Sequence, residues 1–166
     1  MIVVSDTTPI ISLLKAGQLE LPRKLFGTIC IPQSVYYELT ANEKFPEEAR
    51  AVQDCDFLLV EKVQNEKAVA ILRSLTGLDA GESEAIILAD EKCSDVLLMD
   101  ERKGRQVAKK MGISVTGTIG MLAQAFDEKV LTKEDVIKCA ERLKENDIRI
   151  SEKLYKKLTE HIEKRT

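Results

Sequence analysis

The sequence predicts an α/β fold of three layers, with a central, mainly parallel sheet flanked by helices and a helical C-terminal section. Short apolar, often β-branched segments alternate with segments of helical periodicity along most of the chain. Such alternation needs crossover connections, which give parallel strands covered on both faces. The length of 166 residues suits one hydrophobic core and is short for two. We therefore expect a single domain, with a core at 1–130 and C-terminal helices at 131–166.

The expected elements follow one another in a regular order. Strands are predicted at 2–4, 25–31, 57–60, 95–100 and 113–115. Helices are predicted from Pro9 to Gly17, after Ser34, and over 46–52, 68–75, 82–91, 102–111, 119–126, 133–144 and 151–161. Ser34 and Thr132 are expected to cap the helices that follow them, because a hydroxyl there can accept a bond from a free helical N–H.

The composition is typical of a soluble globular protein, with 44% hydrophobic and 32% charged residues. No apolar run approaches the roughly 18 to 20 residues of a membrane span. Asp6 interrupts the apolar opening and no basic segment precedes it, which argues against a signal peptide. The cysteines are scattered without a CxxC pair, so we expect reduced, buried thiols and a cytoplasmic protein. They are Cys30, Cys55, Cys93 and Cys139.

The charge distribution is uneven. The formal net charge of −3 weakly disfavours a non-specific nucleic-acid binder, whose surface is usually basic. Basic residues nevertheless crowd the segments 102–110 and 153–165. Arg102, Lys103 and Arg105 follow an acid closely and could bind phosphates beside it. The alternative is that they form a solvated helix face.

Two predicted strands each end at an aspartate, Asp6 and Asp100. In an open parallel sheet, ligands gather outside the carboxyl ends of the strands, so both side chains should lie on one rim. Adjacent carboxylates repel unless a cation lies between them. Mg²⁺ or Mn²⁺ fits oxygen ligands, whereas zinc would need the Cys or His cluster that is missing here. The sole histidine, His161, lies in the tail, which disfavours a histidine-based mechanism.

Further acids lie where helices could bring them to the same rim. Glu38 is embedded in the apolar segment VYYEL, and Glu82 begins the apolar helix GESEAIILA. Glu84 lies about 200° around that helix from Glu82, so one face should not carry both. Each acid also has an ordinary alternative as a helix cap, a partner of the helix dipole or a solvated side chain. Only the joint pattern favours a metal site.

The segments VSDTTPIISLLKAG, IPQSVYYEL, LDAGESEAIILA and VLLMDERKGRQVAKKMGISVTGTIGML, in this order, resemble PIN domains. The likeness is greatest to a PIN-like subfamily near the VapC-type toxin nucleases. It implies a metal site and catalytic centre made of Asp6, Glu38, Glu82 and Asp100. Many PIN domains have aspartate as the third acid, so Glu84 competes with Glu82 for that role. Glu84 and Glu101 are expected to be auxiliary. Thr7 and Thr118 bring hydroxyls near the rim or cap the following helices.

The resemblance also implies an activity and partners. The acids would hold one or two Mg²⁺ or Mn²⁺ ions that activate water for in-line hydrolysis of RNA. The protein would be an endoribonuclease, the toxin of a toxin–antitoxin pair, acting as a homodimer restrained by a small antitoxin protein. The C-terminal apolar stripes either pack on the body or receive a second subunit or an antitoxin helix. The rivals are a non-catalytic PIN-like module that binds RNA or protein, and a receiver-like domain. The second lacks the acidic pair that receivers need after the first strand.

Overall fold

The computed structural model describes residues 1–166, which form five strands and ten helices. The strands are β1 (Val3–Ser5), β2 (Ile29–Pro32), β3 (Leu58–Glu61), β4 (Val96–Leu98) and β5 (Val115–Thr116). The helices of the first half are α1 (Thr7–Lys15), α2 (Leu21–Phe26), α3 (Gln33–Thr40), α4 (Pro46–Gln53) and α5 (Glu66–Thr76). Those of the second half are α6 (Ala80–Glu91), α7 (Arg102–Lys110), α8 (Thr118–Asp127), α9 (Lys133–Glu145) and α10 (Glu152–Lys164). The α/β class is confirmed.

The sheet is entirely parallel and has the strand order β3-β2-β1-β4-β5. The central strand β1 pairs with β2 on one side and with β4 on the other, where Ser5 lies opposite Leu98. From β1 the chain adds β2 and β3 on one side of the sheet, and then adds β4 and β5 on the other side. The helices that follow β1 and β4, α1 and α7, pack on opposite faces of the sheet. This is the arrangement that leaves a crevice at the carboxyl ends of two adjacent parallel strands.

Alternate strand residues supply two separate cores, one on each face of the sheet. Val3 and Leu98 belong to a cluster with α1, α8, α9 and α10, whereas Val4 and Leu97 belong to a cluster with α6 and α7. This two-residue alternation is what a pleated strand imposes when both of its faces are buried. The three-layer arrangement of helix, sheet and helix is thereby confirmed.

The expectation that all four cysteine thiols are buried is wrong, because Cys93 is exposed and Cys55 is only half-buried.

Two expectations about secondary structure are also wrong. The apolar residues Leu25 and Phe26 were assigned to a strand over 25–31, but they end α2, and β2 starts only at Ile29. Pro22 suits the first turn of α2, and Gly27 stops the helix with a positive φ of 81°. A continuous apolar run does not distinguish a helix end from a strand.

The expected cap at Ser34 is also wrong, whereas the one at Thr132 is confirmed. Ser34 lies inside α3, whose N-cap is Pro32. Thr132 forms a capping box with Asp135, each side chain accepting a bond from the other residue's amide. None of the ten helices combines the length and apolarity that crossing a membrane requires.

Candidate active site

The crevice between β1 and β4 has an aspartate on each side. The amide of Asp6 donates to the carbonyl of Leu98 at 2.9 Å, so the sheet ladder continues to the start of the acidic rim. Asp100 lies two residues beyond Leu98, after the end of β4. This register places Asp6 and Asp100 at the same edge of the sheet.

Asp6 is buried, with only 3% of its surface exposed. It is the N-cap of α1, but its side chain makes no capping bond. The pKa of Asp6 is raised from 3.8 to about 7. Burial is the largest cause, the charges of Glu82, Asp79 and Glu38 add to it, and the hydrogen bond from the Thr7 amide offsets it only partly. Asp6 forms no ion pair, so a buried carboxyl faces other acids without a compensating cation.

Glu38 reaches the crevice from α3. The hydroxyl of Thr7 donates to Glu38 Oε2 at 2.7 Å. The residue as a whole is exposed, but its carboxyl group lies over Gly81, where a Cβ would stand 2.5 Å from Oε1. This local burial raises the pKa of Glu38, the Thr7 hydroxyl lowers it, and the charges of Asp79 and Glu84 raise it. Gly81 therefore leaves the space that the carboxyl group occupies.

Glu82 stands in the first turn of α6. It forms a capping box with Asp79, in which Glu82 Oε2 accepts from the Asp79 amide at 2.9 Å and Asp79 Oδ1 accepts from the Glu82 amide at 2.8 Å. Burial raises the pKa of Glu82, and the charges of Asp79, Glu101 and Glu38 raise it as well. The hydrogen bond that Glu82 accepts from the Asp79 amide lowers it. Glu82 thus stabilises the start of α6, which is the ordinary role expected of an acid in a first helical turn. Its charge also raises the pKa of Asp6 in the crevice.

Asp79 is an acid of this crevice that the sequence reasoning missed. Its charge raises the pKa of Asp6, Glu38 and Glu82, so it lies in the same electrostatic environment. The spacing of Asp79 and Glu82, N-cap and third helical residue, is the sequence signature of a capping box. That signature could have identified the acid, but the segment 77–81 was interpreted only as a turn.

Asp100 is held by the N-terminus of α8. Its Oδ1 accepts from the amide of Thr118 at 2.7 Å, and its Oδ2 accepts from the Thr118 hydroxyl at 2.6 Å. Gly117 permits this approach, because a Cβ there would lie 2.7 Å from Asp100 Oδ1 and 2.9 Å from Arg105 Nη1. The structure therefore brings Asp6, Glu38 and Glu82 close enough for their charges to affect one another's pKa. The carboxylate of Asp100 is instead turned toward α8.

Thr7 and Thr118 act through their hydroxyls on the candidate acids. Each is the first residue of its helix, and the N-cap positions belong to Asp6 and Gly117. Their hydroxyls donate to Glu38 and Asp100 respectively. Of the two interpretations of these threonines, the geometry favours hydroxyl groups beside the rim over helix caps.

The two auxiliary acids each accept hydrogen bonds at the N-terminus of a helix. Glu84 Oε2 accepts from the amide of Ser34 at 3.0 Å and also from its hydroxyl, so it closes the N-terminus of α3 from the neighbouring helix. Glu82 and Glu84 thus point to different partners, as their angular separation on α6 predicts. Glu101 is the N-cap of α7 and accepts from the amide of Gly104.

The three cations proposed for RNA binding lie on α7, and they differ in their freedom. Arg102 and Lys103 are exposed and form no ion pair. Arg105 is half-buried, and its Nη1 donates to the carbonyl of Met99 at 2.8 Å. Arg105 is therefore fixed beside Asp100, whereas the other two can move toward a ligand.

The acids match a divalent cation in chemistry but are not yet gathered around one. No group of three or more His, Cys, Asp or Glu side chains lies close enough together to hold a metal ion as the side chains stand. The bonds of Glu38 to Thr7, Glu82 to Asp79 and Asp100 to Thr118 account for this dispersal. The donors are all oxygens, which Mg²⁺ and Mn²⁺ prefer, and Asp6 lacks a compensating charge. The residues therefore fit such an ion after side-chain rotation.

The fold and the site together define a three-layer α/β protein with an acidic crevice at the point where strand order reverses. A family model described as PIN domain matches residues 2–164, nearly the whole chain. The chain belongs to the PIN-domain family, whose members are generally nucleases that use divalent metal ions. No curated protein matches the sequence significantly.

Proposed function

We propose that this protein is a Mg²⁺- or Mn²⁺-dependent endoribonuclease whose catalytic residues are Asp6, Glu38, Glu82 and Asp100. The observation that carries the proposal is Asp6: a buried carboxyl group with a pKa of about 7, surrounded by other acids and without a cation. Such an arrangement costs stability in the free protein. A divalent cation would remove that cost.

Different residues of the chain would bind the ion and orient the substrate. Asp6, Glu38 and Glu82 would hold the ion on one side of the crevice, and Asp100, oriented by Thr118, would complete the site from β4. When bound, the ion supplies Lewis-acid activation of water and charge stabilisation at the scissile phosphate. Arg105, fixed against the carbonyl of Met99, would orient a phosphate beside Asp100.

We also propose that the protein is the toxin of a toxin–antitoxin pair, works in the cytoplasm and forms a homodimer that an antitoxin restrains. The resemblance to VapC-type toxins supports this part of the proposal. A further support is α5, which contains no buried residue and leaves Ile71 and Leu75 exposed by 50% and 80%. Exposed aliphatic side chains on one helix are typical of surfaces that bind a partner.

The test is cleavage of a labelled RNA by purified protein in Mg²⁺, Mn²⁺, Ca²⁺ or EDTA. We expect cleavage with the first two ions, little with Ca²⁺ because of its longer and looser coordination, and none in EDTA. Asp6→Asn and Asp100→Asn should each abolish cleavage while the fold is retained. Asp90→Asn is the matched control, since Asp90 is an exposed acid of α6 without an ion pair.

Two results would contradict the proposal. Robust cleavage in EDTA would exclude the metal-dependent mechanism, and full activity of both Asp variants would exclude these catalytic residues. A protein that binds RNA but never cuts it, with any of the ions, would instead be a non-catalytic PIN-like module.

A further inference from the structure

A groove passes Asp100 between α8 and α10. It consists of two adjoining depressions that share Asp100, Ile119 and Leu154. Arg105 and Lys157 line one depression, and Thr8 and Arg149 line the other. Asp100 therefore lies where the two depressions adjoin, and we call them together the α10 groove. One of its walls belongs to the C-terminal section of the chain.

That wall is an ordered part of the protein. Helix α10 packs on the body through Leu158 and Ile162, which are buried. Leu154 continues the same stripe one turn earlier, yet it is 45% exposed because it faces the groove. The N-terminus of α10 is fixed by Ser151, whose hydroxyl accepts from the Leu154 amide at 3.2 Å. Lys144 of α9 also lies over the Tyr155 ring at 3.5 Å from its centroid.

The groove has free positive charge on both sides of Asp100. Neither Arg149 nor Lys157 forms an ion pair, in contrast to His161, which binds Asp127 at 2.8 Å. Asp147 shares the depression with Arg149 but forms no ion pair with it. An unpaired cation in each of the two depressions that adjoin at Asp100 suits a polyanion whose backbone passes this acid.

We propose that the α10 groove binds a single strand of RNA, with Arg149 and Lys157 contacting phosphates on opposite sides of the scissile bond. This inference rests on the proposed nuclease function. No Phe, Tyr or Trp side chain lines the groove, and its one imidazole, His161, is hydrogen-bonded to Asp127, so binding depends mainly on the nucleic-acid backbone. The aliphatic pair Ile119 and Leu154 would contact a sugar or base edge next to Asp100. Arg149 and Lys157 are positioning residues, so they should affect binding more than chemistry.

The test measures binding of a fluorescein-labelled oligouridine by fluorescence anisotropy in EDTA over a range of salt concentrations. For single strands, each phosphate contact contributes about 0.7 to the slope of log K against log salt. Arg149→Ala and Lys157→Ala should each reduce the slope by about this amount, and the double variant by about 1.4. Lys164→Ala is the matched control, because Lys164 ends the same helix outside the groove and forms no ion pair.

The cleavage assay separates this inference from the proposed function. If the protein cuts RNA, the double variant should raise KM and leave kcat nearly unchanged. Cleavage by the wild type with unchanged slope and KM in the double variant would overturn the groove and leave the function standing. Groove-dependent binding without cleavage in Mg²⁺ or Mn²⁺ would overturn the function alone. Failure of the wild type to bind the strand, or equal competition by duplex RNA, would overturn the single-strand inference.

Discussion

Replacement of Gly81 by alanine should reduce catalysis while leaving the fold almost equally stable. A Cβ at this position would lie 2.5 Å from Glu38 Oε1 and 3.2 Å from its carboxyl carbon. Ordinary contact begins at 3.4 Å, so the carboxylate must withdraw by about 1 Å. The side chain of Glu38 is flexible enough to do so. A displacement of about 1 Å in a catalytic group can reduce the rate by about 100-fold.

The stability effects nearly cancel. Loss of the Thr7 bond to Glu38 would cost about 1–2 kcal/mol. Alanine would stabilise α6 by about 0.5–1 kcal/mol, because glycine loses more backbone entropy on folding. The net change is therefore a destabilisation of about 0–1.5 kcal/mol, which corresponds to at most about 6 °C in Tm for a chain of this size.

The assay compares kcat/KM and Tm for the wild type, Gly81→Ala, Glu38→Gln and the double variant. If Gly81→Ala acts through Glu38, it should add little loss to a protein that already carries Glu38→Gln. Ser83→Ala is the control, because the Ser83 hydroxyl is buried on the same helix without a hydrogen-bond partner. Wild-type kcat/KM in Gly81→Ala, or fully additive losses in the double variant, would refute the reasoning.

Three further predictions concern the acids. Asp6→Asn should raise the Tm of the metal-free protein, with a gain that grows between about pH 4 and about pH 7. The unfolded carboxyl ionises near 3.8 and the folded one near 7, so the wild type loses up to about 4 kcal/mol of stability as the pH rises through this interval. A Tm difference that is constant over pH would contradict this assignment. Glu82→Gln should reduce cleavage far more than Glu84→Gln, whereas Glu84→Gln should lower Tm through its lost bonds to Ser34; the opposite ranking in cleavage would make Glu84 the third acid. Protons and Mg²⁺ compete for the same carboxylates, so a tenfold increase in Mg²⁺ should lower the apparent pKa of the acid limb of the pH–rate profile by up to about one unit; an acid limb that does not respond to Mg²⁺ would assign the titration to another group.

The strand-end acids were predictable because the rule behind them is topological. Parallel strands separated by helices carry their carboxyl ends to the same edge, so Asp6 and Asp100 could be placed together without knowledge of the strand order. The order itself, with β1 between β2 and β4, was not accessible from the sequence. Short buried strands such as Val3–Ser5 and Val96–Leu98 have such similar sequences that the sequence does not indicate which strands pair with each other.

Other features depend on contacts between segments that are distant in the sequence. The strand predicted at 25–31 was partly wrong because periodicity cannot separate a short apolar helix end from a strand. Glu84 accepts a hydrogen bond from Ser34, which lies 50 positions away, and nothing in the sequence of α6 indicates that partner. Asp79, by contrast, could have been found from the sequence, because it precedes Glu82 by the three positions that separate the two residues of a capping box.

The pairing of β1 with β4 has a consequence for the protein during its synthesis. Ile2 bonds to Asp95, 93 positions away, and Asp100 is oriented by Thr118 further along the chain. A nascent chain that has emerged only as far as α6 already contains Asp6, Glu38 and Glu82 but lacks their counterpart on β4. At about 5–20 residues per second, several seconds of translation separate the first of these acids from the last. Under the proposed function, a growing polypeptide would therefore carry an incomplete metal site until most of the chain has been made.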